Sequence, residues 1–117
     1  MGNNVIYELS KKFALRIVNL YVFLKEKKHE YVMSKQIYRC GTSIGANITE
    51  STYAQSTADN ISKLCIALKK ASETLYWLDL LQESNHITKE QYESISNDAK
   101  IIIGTLVNII NKLKKNK

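Results

Sequence analysis

Apolar residues recur at intervals of three and four in four stretches of this chain, the spacing that puts them on one face of an α-helix. In the first stretch Ile6, Leu9, Phe13, Ile17, Leu20 and Leu24 form the stripe, and Val18, Tyr21 and Val22 widen it. The run KEKKHEY then breaks the pattern, which predicts a helix over 4–28 followed by a loop. The second helix is predicted over 34–55, with Ser34 as its N-cap. Ile37, Gly41, Ile44, Ile48 and Ser51 make one stripe of it, and Arg39, Ser43, Asn47 and Glu50 make a polar one. Ser56 with Asp59 resembles a capping box and opens a third helix over 57–84, striped by Ile61, Leu64, Leu68, Ala71, Leu75 and Leu78. Thr88 with Gln91 is a capping box for a fourth, over 89–115. Its stripe, Tyr92, Ile95, Ala99, Ile102, Leu106, Ile109 and Leu113, is a heptad seam. Ile101, Ile103, Val107 and Ile110 make this helix apolar on more than one side, as in a helix that is central or shared with another subunit.

Four long amphipathic segments joined by three short connections predict an all-α, antiparallel up-down-up-down four-helix bundle, a single domain over 1–117. Helices of this length make a rod roughly 35–40 Å long. Gly41 and Gly45 fall mid-helix, where each costs roughly 0.5–1 kcal/mol against Ala, so another backbone is expected to approach closely there. The chain has no Pro and only 4 Gly, which disfavours a many-stranded β fold. No stretch reaches the ~20 apolar residues of a spanning helix, and the first residues lack the apolar region of a signal peptide. Cys40 and Cys65 lie within apolar patterns and read as reduced core thiols of a cytoplasmic protein.

A net charge of +6 permits binding to nucleic acid without requiring it. Antiparallel threading sorts the charges into two ends. Lys11, Lys12, Lys63, Lys112, Lys114, Lys115 and Lys117 gather at the end holding both termini, against Glu8, Glu50 and Asp59. The other end mixes Lys25, Lys27, Lys28, Lys35 and Lys89 with Glu26, Glu30, Asp79, Glu83, Glu90 and Glu93. The lysine-rich end reads either as a footprint for phosphate backbone or as a solvated tail complementing the fourth helix's dipole.

Candidate chemistry narrows the choice further. His29 and His86 are the only histidines, both in predicted loops, and no Glu-x-x-His motif exists, so no metal or other cofactor is expected. No Ser, Cys or Thr has a His and an acid in a triad order, and no enzyme is expected. The polar stripe Arg39, Ser43, Asn47 and Glu50, with Glu73 at similar height, reads as a solvent face or as a structural or interfacial hydrogen-bond network. The 7 tyrosines against 2 phenylalanines suit subunit interfaces and the rim of a core.

Residues 36–50, QIYRCGTSIGANITE, resemble the signature segment of the bacterial family of 23S ribosomal RNA intervening-sequence proteins, through Gln36, Arg39, Ser43, Ile44, Asn47, Ile48 and Glu50. Residues 66–81 are similar to that family's third helix, with Ala67, Glu73, Tyr76, Trp77 and Leu78 in place. Two positions depart from the pattern: Gly45 stands where the family often has Pro, and Ser51 where it commonly has Gly or Ala. The resemblance implies a four-helix bundle assembled as a ring-like homopentamer. The fold is also similar to the accessory protein of diversity-generating retroelements, a basic pentameric bundle that works with a reverse transcriptase and binds nucleic acid. The leading expectation is a non-enzymatic oligomer binding structured RNA or DNA through Lys11, Lys12, Lys63, Lys112, Lys114 and Lys115. The alternative is a protein-interaction module or accessory subunit, for example the partner of a reverse transcriptase.

Overall fold

The computed structural model describes residues 2–116. Among them are four α-helices, α1 (Gly2–Glu26), α2 (Met33–Ser51), α3 (Thr57–Glu83) and α4 (Lys89–Lys115), and no strand. Each helix packs on the next in the chain, and α1 with α4 closes the bundle along the loosest of its four seams. The rod measures 47 × 21 × 18 Å, longer than helix length alone predicts because the connecting turns extend past the helix ends. Its centre is the union of the four stripes, with Phe13, Ile17, Ile44, Leu64, Leu78, Ile102 and Leu106 almost wholly buried. Each such side chain contributes about 1.5–3 kcal/mol by leaving water.

The helix ends show which local signals were sufficient. At α4 the capping box forms in full: Thr88 N–H donates to Gln91 Oε1 at 2.8 Å and Gln91 N–H to Thr88 Oγ1 at 3.1 Å. At α3 the Ser56 hydroxyl accepts Asp59 N–H at 3.0 Å, while the Asp59 carboxylate reaches back to Gln55 N–H at 3.2 Å. The start of α2 differs from expectation, because Ser34 is not its N-cap. The Glu30 carboxylate instead accepts the N–H groups of Val32, Met33 and Ser34 at 3.1, 3.0 and 2.7 Å. One anion thus meets three orphan donors and the positive end of the helix dipole. Ser34 is buried and donates its hydroxyl to Glu30 O at 2.8 Å. Helix α2 also stops at Ser51, short of residue 55. Ser51 Oγ and Thr52 Oγ1 bond back to the Ile48 and Thr49 carbonyls, and the chain must then reach the extended conformation that Ser56 needs as a cap.

Helix α1 ends at Glu26, with His29 in the left-handed region at φ 52° and Glu30 N–H bonded to Leu24 O at 2.9 Å. Asn85, at φ 64°, turns the chain the same way after α3.

The two mid-helix glycines face α1, and what they admit is side chain, Ile17 at Gly41 and the Ser10 hydroxyl at Gly45, rather than the backbone expected. A Cβ on Gly41 would stand 2.8 Å from Ile17 Cγ1 and 3.0 Å from its Cγ2, and one on Gly45 would stand 3.2 Å from Ser10 Oγ. Gly104 on α4 has nothing within 4 Å of such an atom. The same substitution should therefore change sign with position. Gly41→Ala forces α1 and α2 apart and is expected to destabilise by about 1–3 kcal/mol, whereas Gly104→Ala is expected to stabilise by about 0.5–1 kcal/mol. Thermal melts of the two variants check this, and a Gly41→Ala melt at or above wild type would refute the close-approach account.

Candidate nucleic-acid interface

Six lysines define the candidate interface, and the fold does not bring all of them to one surface. Lys11 and Lys12 are exposed on α1, and Lys112, Lys114 and Lys115 are exposed in the last turn of α4. Lys12 borders a groove on the α1–α4 seam with Leu9, Phe13, Asp98, Ile101 and Ile102. Lys112 and Lys115 line a shallow depression of about 300 Å³ on α4 with Asn108 and Asn111. Lys12 thus lies on the α1–α4 seam, Lys112 and Lys115 continue the helical positions of Asp98 and Ile101 on α4 toward its end, and Lys11, one position from Lys12, projects from another side of α1. Lys114, two positions from Lys112, projects from another side of the same turn. Lys63 lies on α3 against α2, its ammonium 3.1 Å from Glu50 Oε1, so its charge is already neutralised. Lys117 lies outside the described residues.

Residues expected to form a network on α2 bond mostly to their own helix. Ser43 Oγ donates to Arg39 O at 2.6 Å, and Asn47 Nδ2 donates to Ser43 O at 2.8 Å. Such i to i−4 bonds satisfy short polar side chains without a partner helix. The Arg39 side chain is exposed, and no described acid pairs with it. Glu73 accepts from Trp77 Nε1 at 3.2 Å and lies 3.8 Å from Lys70. Glu50 with Lys63 is the one member of the set that ties two helices together.

Sequence patterning missed the polar tie across the loosest seam. Arg16 on α1 reaches α4, where its guanidinium donates to Asp98 Oδ2 at 2.7 Å, Ser94 Oγ at 2.9 Å and Ser94 O at 3.2 Å. Arg16 and Asp98 are both more than a third exposed, so the pair is worth no more than about 1 kcal/mol, and its role is to set the α1–α4 register. Beside it, Arg16, Asn19, Leu20, Phe23, Gln91 and Ile95 line an open groove.

The remaining reactive groups are structural. Cys40 is buried in the α2–α3 seam, where Thr74 Oγ1 donates to its sulfur at 3.2 Å. Burial pushes its thiol above the ordinary value of 9.0, outweighing the Thr74 bond. Tyr92 is raised above 10.0, chiefly by the nearby Asp79 carboxylate. His29 pairs with the Tyr31 hydroxyl and His86 with the Ser84 hydroxyl. Among the described residues no three His, Cys, Asp or Glu side chains come together as metal ligands. No described helix is long and apolar enough to cross a membrane.

Three comparisons bear on what this arrangement belongs to. The profile of a family described as 23S rRNA-intervening sequence protein matches residues 2–108. A solved structure from Bacteroides thetaiotaomicron, described as a protein with unknown function from the S23 ribosomal protein family, is similar at a TM-score of 0.93 and 58% identity. The match covers 95% of this chain and 99% of that one. No curated protein matches the chain.

The two raised pKa values fix the sign of an alkaline effect. The fold holds the protonated Cys40 and Tyr92 more tightly than the unfolded chain does. Their stabilisation is complete below the unfolded values of 9.0 and 10.0 and is lost as pH rises through the folded ones. Denaturant midpoints are expected to fall above about pH 9, and less so for Cys40→Ala than for wild type. Alkylation near neutral pH should also modify the half-buried Cys65 before Cys40; the reverse order, read by peptide mass, would contradict the assignment.

Proposed function

The chain belongs to the 23S rRNA-intervening sequence protein family, and on that premise we propose a non-enzymatic, self-assembling bundle that binds structured RNA or DNA electrostatically through its terminal end. The observation that carries this reading is the group Lys11, Lys12, Lys112 and Lys115 on the terminal halves of α1 and α4, each exposed and outside every ion pair among the described residues. Unpaired ammonium groups release condensed counterions when they meet phosphates, so affinity depends on their number and on salt rather than on base sequence. Asn108 and Asn111, interleaved with Lys112 and Lys115, add neutral donors suited to phosphate and sugar oxygens. Lys63 is left out of the contact set because Glu50 already occupies it.

Self-assembly is supported by apolar side chains that one bundle leaves in water. Leu15 is 59% and Val22 43% exposed on α1, and Ile101 is 55% exposed on α4. The assembled form is proposed as a homopentamer on the strength of the family resemblance, which repeats the lysine-bearing end once per subunit. The unpaired thiols of Cys40 and Cys65 suit a reducing compartment such as the cytoplasm. A second reading, an accessory subunit docking on another protein, draws on the exposed Tyr31 and Val32 at the opposite end of the rod.

The test is a salt series with structured RNA and duplex DNA. Binding should fall with a log-log slope of several units. Lys112, Lys114 and Lys115→Glu together should weaken it at least tenfold, without loss of helicity by circular dichroism. Lys63→Gln should leave it within about twofold. Negligible binding at low salt, or a triple variant that binds like wild type, would sink the reading and turn the search to protein partners.

A further inference from the structure

Tyr53 is 82% exposed, more than any other large apolar side chain among the described residues. It stands in the turn between α2 and α3, where three backbone bonds hold the chain. Thr52 N–H donates to Thr49 O at 3.2 Å, Tyr53 N–H to Glu50 O at 3.1 Å and Ala54 N–H to Ser51 O at 3.2 Å. The other exposed tyrosines are engaged. Tyr31 meets His29 Nδ1 at 3.3 Å, Tyr38 packs on the Tyr21 ring at 4.7 Å, and Tyr76 stands edge-on to Trp77 at 5.1 Å. Among the described residues no hydrogen bond holds the Tyr53 hydroxyl and no aromatic ring covers its face.

The helix ends bring a free cation to the same turn. Helices α3 and α4 have 27 residues each and are joined by the turn 84–88, so Lys115 at the end of α4 comes level with Thr57 at the start of α3. Tyr92, Ile103 and Lys114 recur about three turns apart, so Lys114 continues the side of α4 on which Tyr92 stands by Asp79 of α3. Lys114 is exposed and outside every ion pair among the described residues. The first turn of α3 therefore has Tyr53 toward α2 and Lys114 toward α4, with neighbouring helix axes about 8–10 Å apart. Beside the ring, Lys63 neutralises Glu50, and the Asp59 carboxylate accepts Gln55 N–H at 3.2 Å. Surroundings with one unneutralised carboxylate repel a phosphate and tolerate an uncharged base.

We infer that Tyr53 is a stacking platform for an unpaired nucleobase, with Lys114 taking a phosphate of the same strand. This rests on the electrostatic binding proposed above and narrows its ligand to nucleic acid with unpaired nucleotides, in a loop, a bulge or a single strand. A base inside a duplex has both faces covered by its neighbours, whereas an unpaired one can lie on an aromatic ring whatever its identity. At roughly 3.4 Å per nucleotide along a strand, about three steps span the distance from ring to ammonium. The lysines supply attraction common to any polyanion, and the ring supplies the preference among them.

The test compares a hairpin bearing a long unpaired loop with a fully paired duplex of equal phosphate number, each made as RNA and as DNA. Wild type is expected to bind the hairpin at least about fivefold more tightly than the duplex, in one sugar or in both. Tyr53→Ala should remove that preference and leave duplex binding within about twofold, while Tyr53→Trp should retain it. The indole introduced by Tyr53→Trp should also lose fluorescence on binding the hairpin, beyond any change that wild type shows. The ring is exposed, so every variant is expected to keep wild-type helicity and wild-type mass by light scattering. The inference is overturned by wild-type binding that ignores the loop, by a Tyr53→Ala variant that keeps the preference, or by one that loses hairpin and duplex binding alike. A Tyr53→Ala variant of altered mass also overturns it, because the ring would then belong to a contact between subunits. Salt-dependent binding without a loop preference leaves the electrostatic reading standing, and failure to bind any probe removes both.

Discussion

A methyl group on Gly41 would stand 2.8 Å from Ile17 Cγ1, and one on Gly45 would stand 3.2 Å from the Ser10 hydroxyl, so α2 adds no side chain of its own where Ile17 and Ser10 of α1 press against it. That approach fixes the height and rotation of α2 against α1, and the rest of the bundle follows from it. Ile37, Ile44 and Ile48 are turned fully into the core, Cys40 is set against Thr74 of α3, and Tyr38 is brought onto Tyr21. The cost of two glycines inside a helix, about 0.5–1 kcal/mol each, is offset by the closer packing they permit. The α1–α4 seam has no such device. It is the loosest of the four, it leaves Ile101 partly in water, and Arg16 bridges it with polar bonds.

What the sequence made legible was whatever is decided locally. The capping box of Thr88 and Gln91 and the heptad run after it define α4, because both are complete within a few turns of chain. The Gly41 and Gly45 pair announced a close neighbour, since nothing else accounts for two glycines one turn apart on a stripe facing the core. The start of α2 was not legible: Ser34 had the right residue type, but Glu30, four positions earlier and not a favoured cap, took the donors. Its end was misjudged because Ser51 and Thr52 turn their hydroxyls back to the chain instead of extending the helix.

The candidate site was legible by composition and not by geometry. Antiparallel threading suffices to say which lysines share an end, and Lys112, Lys114 and Lys115 are exposed in the last turn of α4. Which lysines are free depends on the register between helices, which the chain does not print. Lys63 meets Glu50 across the α2–α3 seam, and Arg16 meets an acid 82 positions away. Both pairs remove charge that a tally by residue counts as available. In the stripe Arg39, Ser43, Asn47 and Glu50, the short polar members are satisfied by their own helix and leave Arg39 to solvent within one chain.

A tally by end hides the feature that gives this bundle a direction. At the end away from the termini, positive and negative side chains nearly cancel, with Lys25 and Lys35 on α1 and α2 and Asp79, Glu83 and Glu93 on α3 and α4, although Glu26 and Lys89 carry the opposite sign within each pair of helices of this rod 21 Å by 18 Å across. At the terminal end, Lys11 and Lys12 on α1 and Lys112 and Lys115 on α4 are all exposed. Charge therefore varies around the rod at one end and is mostly positive at the other. The second pattern is the one on which the proposed contact with a polyanion rests. Neither requires a catalytic group, and each can be removed by surface substitution without touching the core that Gly41 and Gly45 bring together.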